Sequence, residues 1–135
     1  MKRIFLDTNV LLDLIDEKRS GHEEALRLES LIEKKSLRGL LSWHSLSLIE
    51  YVGRREFGRE GILEVIRGFL DVFQVPRTGS DEAKIALGFI TSDFEDAMQI
   101  ASAVAGKADY LVTNDGTGFE KSPVPVVSPL ELSEL

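Results

Sequence analysis

The sequence predicts an α/β domain around a mostly parallel sheet, and three observations carry that reading. Short apolar runs of strand length alternate with longer segments whose apolar residues recur at helical spacing. Parallel neighbours need crossover connections, which helices between strands supply. The chain has 135 residues and no internal repeat, linker or low-complexity stretch, enough for one core and too few for two ordinary domains, so residues 1–135 are read as a single unit.

The elements follow in order. "RIFL" (Arg3 to Leu6) is a buried strand ending at Asp7, and "VLLDLID" continues at helical spacing. "SGHE" (Ser20 to Glu23) has the Ser-x-x-Glu spacing of a capping box and opens a helix to about Lys35. "LRGLLS" is a second strand. "HSLSLIEYVGRREF" and "REGILEVIRGFLDVF" are helices interrupted at Gly58, the latter with an apolar stripe of Ile62, Val65, Ile66, Phe69 and Leu70. "FQVP" is a short third strand closed by Pro76. A helix follows from Ser80 and Asp81. A second Ser-x-x-Glu box, Ser92 to Glu95, opens a helix that stops near Gly106, suited to the left-handed position past a helix end. "DYLVT" is a buried strand, and "VPVV", flanked by Pro123 and Pro125, is an edge strand.

Composition narrows the function. No cysteine is present, which excludes disulfides, zinc–thiolate sites and thiol catalysis. No apolar run approaches the roughly eighteen residues of a membrane span, so a cytoplasmic protein without membrane attachment is expected. Sixteen Lys and Arg against twenty-three Asp and Glu give a net charge of −7, which repels a nucleic-acid backbone unless a cation stands between them.

In parallel α/β folds ligands bind outside the carboxyl ends of the strands. Asp7 and Asp115 end strands there, and the helix opened at Ser92 brings Asp93 and Asp96 to the same edge. Glu95 is assigned to capping, as the partner of Ser92. Asp93 fits first-turn decoration as well as a site role. Asp96 lies about 60° around from Asp93, on a face leading to Ile100 and Ala103, where a carboxylate needs a partner. Neighbouring Thr8 and Asn9 are able to cap the following helix, so Asp7 is not needed for that. Asp115 in Asn-Asp-Gly also fits ordinary turn chemistry. Carboxylates gathered without Lys or Arg repel unless they share a proton or a cation, and hard Mg²⁺ or Mn²⁺ suits such oxygens. A metal so held activates water and stabilises in-line attack on phosphorus.

"FLDTNVLLDL", "DFEDAMQIASA" and "DYLVTND" together resemble three hallmark segments of PIN domains, in order and across nearly the whole chain. The resemblance implies a three-layer α/β/α sandwich and Mg²⁺- or Mn²⁺-dependent endoribonuclease chemistry. Stand-alone members of this length resemble VapC-type toxins, held by an antitoxin and commonly homodimeric. Carried over, the catalytic and metal-binding acids are Asp7, Asp96 and Asp115, with Asp93 auxiliary, while Thr8, Asn9, Thr113 and Asn114 orient them. The family's second acid falls on Leu48, with Glu50 two residues later, roughly 200° around the helix. Glu50 is therefore either a shifted fourth acid or the i, i+4 partner of Arg54.

His44, beside Trp43, reads as a capping or packing residue rather than a general base. Arg54, Arg55 and Arg59 are the compact basic patch, either a solvated helix end or an RNA or partner contact. A catalytically impaired PIN-fold module that binds RNA or protein is the competing expectation. A phosphoryl-accepting domain lacks its central-strand Asp and late Lys, and an Asp-x-Asp phosphatase is disfavoured because Asn9 stands two residues after Asp7.

Overall fold

Residues 4–6 alternate between two apolar faces, and the sheet uses both. The computed structural model describes residues 1–134. Strands β1 (Lys2–Leu6), β2 (Leu37–Leu40), β3 (Tyr110–Val112) and β4 (Val126–Val127) form one all-parallel sheet in the order β2-β1-β3-β4. Ile4, Leu6 and Val112 point into one core with Leu11, Leu28, Ile49 and Phe69. Phe5, Leu40 and Leu111 point into a second core with Ile100, Ala103 and Phe119.

Helices α1 (Thr8–Ile15), α2 (His22–Glu33), α3 (Trp43–Val72) and α6 (Pro129–Ser133) supply the first core, and α5 (Phe94–Ala105) supplies the second with α4 (Ser80–Ala86) packed on it. The expected three-layer sandwich results. Register aligns the strand ends: Leu6 pairs with Val112, which pairs with Val127, and Phe5 with Leu40. Asp7, Ser42 and Thr113 therefore emerge along one edge. No helix among the described residues is long and apolar enough to cross a membrane.

Local expectations needed correction where tertiary partners compete. Helix α2 has Gly21 at its cap, without a side-chain bond from Ser20, because the chain before it is turned against Asp13. "FQVP" makes a single parallel bridge, Leu40 to Gln74, and not a strand, since Pro76 has no N–H to extend a ladder. Gly58 does interrupt α3, with φ 75° and ψ 171°. Gly106 keeps a right-handed conformation, and Lys107 takes the left-handed one at φ 56°.

Gly39 in β2 lies under the end of α3. A Cβ there would stand 2.6 Å from Phe73 Cδ1 and 2.8 Å from Ile32 Cδ1, closer than packed atoms tolerate. Gly39→Ala is expected to lower the unfolding free energy by about 1–3 kcal/mol through overpacking, read from urea midpoints. An unchanged midpoint would show that Phe73 and Ile32 do not close over the strand.

Candidate functional site

Asp7 follows β1 and is almost fully buried. Its Oδ1 accepts from Gln99 Nε2 at 3.0 Å, and its Oδ2 from Thr113 Oγ1 at 2.7 Å. Gln99 in turn accepts from the Thr8 N–H at 2.9 Å, and Thr8 Oγ1 shares a hydrogen bond with Ser45 at 2.7 Å. Asp7, not Thr8 or Asn9, occupies the cap position of α1, and its carboxylate is held from α5 and from the residue that follows β3. Burial raises its pKa, and the bonds from Thr113 and Gln99 offset part of that rise.

The second acidic group comes from the start of α5. Asp93 is the cap, its Oδ1 accepting from the Asp96 N–H at 2.9 Å, so the Ser92–Glu95 box does not form. Glu95 instead meets His44 Nε2 at 2.7 Å, and His44 Nδ1 shares a hydrogen bond with Ser42 Oγ at 2.5 Å. Asp96 projects from the next position, half-buried, under the turn that follows β3. A Cβ on Gly118 of that turn would lie 2.0 Å from Asp96 Oδ2, so only glycine lets the backbone approach.

Asp115 caps this same turn (Gly116–Phe119), accepting from the Thr117 N–H at 3.1 Å and the Thr117 hydroxyl at 2.6 Å, and these bonds lower its pKa. Asn114 donates to buried Asp13 Oδ2 at 2.9 Å, and Arg19 Nε donates to Asp13 Oδ1 at 2.7 Å. Asp7, Asn9, Asn114 and Asp115 border one groove of about 660 Å³, with Arg19 at its wall. Thr113 thus orients Asp7 directly, Asn114 anchors the Asp115 loop, Thr8 acts through Gln99, and Asn9 bonds Arg19 at 3.4 Å.

Glu50 stays out of this group. Arg54 Nε donates to it at 2.7 Å, and the guanidinium lowers its pKa. Arg54, Arg55 and Arg59 are all exposed along α3. Gln99, Asp13, Arg19 and the His44–Glu95 pair escaped sequence reading. Gln99 carried a signal, since it sits one turn beyond Asp96 on the face of Ile100 and Ala103, where a polar side chain has no bland role.

The electrostatics are one-sided. Asp96 is pushed up to about 6, first by burial and then by the charges of Asp93, Glu95, Asp7 and Asp115. None of the four ion pairs among the described residues includes Asp7, Asp96 or Asp115. All-oxygen donors without a counter-cation fit a hard divalent ion. Among the described residues, however, no three acidic or histidine side chains stand close enough to hold one as they are. The acids line an open edge, not a closed cage.

An all-parallel α/β/α sandwich with aspartates along its carboxyl edge is the architecture that the three sequence segments implied. The chain belongs to the PIN domain family, whose model matches residues 3–117. Solved structures of similar fold include DNA-bound VapBC from Salmonella typhimurium, at 21% identity and TM-score 0.70 over 96% of this chain and 99% of that one. A toxin-antitoxin complex from Klebsiella pneumoniae also aligns at 21% identity and TM-score 0.70, over 93% and 97%. Mycobacterium tuberculosis VapC20, a Sarcin-Ricin loop cleaving toxin, aligns at 21% and 0.68, over 87% and 97%. No curated protein matches the chain.

The raised Asp96 has a signed consequence. Between the ordinary carboxylate range and about pH 6 the folded chain keeps a proton that the unfolded chain releases. The stability from this group is full below its unfolded pKa and is lost as pH rises through about 6. In EDTA, the Tm of Asp96→Asn relative to wild type is expected to climb from about pH 4.5 to 7 and then level. A pH-independent difference would show that burial and the neighbouring acids do not raise Asp96.

Proposed function

We propose that this PIN domain is a Mg²⁺- or Mn²⁺-dependent endoribonuclease that hydrolyses RNA phosphodiesters as the toxin of a toxin–antitoxin pair. The observation that carries it is Asp96, raised to about 6 first by burial and then by four neighbouring acids, with no Lys or Arg bonded to it. Asp7, Asp96 and Asp115 are the residues that would hold the cation, with Asp93 tied up as a cap at its margin. When bound, the cation supplies an activated water and neutralises charge on the phosphate.

The chain's own residues prepare that site. Gln99 and Thr113 fix both oxygens of Asp7, so its carboxylate is oriented before any ligand arrives. Asp13 anchors Asn114 and thereby the loop that carries Asp115. Two solved neighbours are toxin–antitoxin assemblies, and another is a toxin that cleaves the Sarcin-Ricin loop, which supports an RNA substrate, an antitoxin partner and a toxin role here. A homodimer in the cytoplasm belongs to the same reading.

A catalytically impaired binding module is the second reading, and one pair of observations favours it. Leu48 occupies the expected second-acid position, and Glu50 is neutralised by Arg54. Cleavage assays on folded, EDTA-stripped protein separate the two. Adding Mn²⁺ or Mg²⁺ is expected to restore cutting of single-stranded RNA. Asp96→Asn is expected to reduce the rate by about a hundredfold or more, because several kcal/mol of charge stabilisation are lost. Glu50→Gln is expected to leave the rate unchanged. RNA binding without cutting under either cation would establish the second reading.

A further inference from the structure

The chain's one tryptophan is spent at the first position of α3, where Trp43 is 72% exposed. A large apolar ring left in water at a helix start contributes little to either core. It stands at the rim of a pocket of about 280 Å³ between the start of α3, α4 and α5. Met98 and Ala101 give the pocket an apolar floor, while Ser42, His44 and Thr78 give it polar walls. His44 is fixed on both ring nitrogens, by Ser42 and by Glu95. Glu95 directly precedes Asp96, so the His44–Glu95 bond joins the pocket wall to the acidic edge.

We propose that this pocket receives one unpaired base of single-stranded RNA, stacked on Trp43, while the neighbouring phosphate reaches the acidic edge beside Asp96 together with the cation that edge would hold. This inference rests on the reading of the site as one that acts on RNA. A flat aromatic face beside an apolar floor with a few polar walls is how proteins hold splayed-out bases. Continuity with the acidic edge favours a nucleotide over a protein side chain as the occupant. It also supplies what an acidic chain lacks, since stacking attracts RNA without positive charge.

A single tryptophan makes the test direct. Trp43 emission is followed in EDTA while uncharged adenosine, guanosine, cytidine or uridine is added, so neither metal nor cleavage is needed. Saturable quenching by at least one nucleoside is expected. It is expected to disappear in Ala83→Phe, which fills the pocket from the exposed side of α4 and leaves Trp43 in place. In parallel, Trp43→Ala is expected to raise the KM for a single-stranded RNA about tenfold or more with kcat retained, the loss of one stacked base.

The pocket alone is overturned by RNA cut by Trp43→Ala with the wild-type KM, or by no quenching by any nucleoside although wild type cuts RNA. Emission that shifts with protein concentration and ignores nucleosides would assign Trp43 to a contact between protein chains, and also overturns it. Wild type that neither cuts nor binds RNA removes the RNA reading itself and the inference with it.

Discussion

The arrangement depends on one buried carboxylate. Asp7 leaves the central strand already inside the protein, and a charge there is tolerated only if its lone pairs are taken up. Gln99 from α5 and Thr113 just past β3 do this, and Gln99 passes the constraint on through the Thr8 N–H to the start of α1. A single acid thus ties the central strand, its neighbour and a helix of the opposite layer at the edge where the candidate site lies. Every buried side-chain nitrogen and oxygen among the described residues has a partner, so this polar seam is complete.

The same edge is electrostatically unfavourable in the protein alone. Asp93, Glu95, Asp7 and Asp115 crowd Asp96, and Arg19, the cation at the wall of the neighbouring groove, is engaged by Asp13. Stability comes instead from two apolar cores on either side of the sheet, reached by alternate residues of β1. Residues that serve the fold and residues that strain it are thereby separated along one strand. Ile4, Phe5 and Leu6 serve packing, and Asp7, the very next residue, serves the site.

Hydrogen-bonding chemistry misled sequence reading wherever two partners were available. Ser20 and Ser92 have good capping spacing, yet Gly21 and Asp93 take the cap positions. Glu95 was free to turn back on its own helix and turns to His44, a residue 51 positions away, because the start of α3 is packed there. Local spacing reports which bonds are possible, and packing selects among them.

By itself the sequence determined the class of fold, the order of its strands apart from the one expected at "FQVP", and the placing of Asp7, Asp96 and Asp115 toward one edge. Those follow from apolar periodicity and from the rule that parallel strands end together. Only the tertiary structure decided that Gln99 holds Asp7, that Asp13 anchors the Asp115 loop, that Arg54 keeps Glu50 out of the group, and that Trp43 overhangs a pocket beside the acids. Each of these pairings except Glu50–Arg54 joins residues on different elements, and periodicity along one segment carries no information about which face of another will meet it.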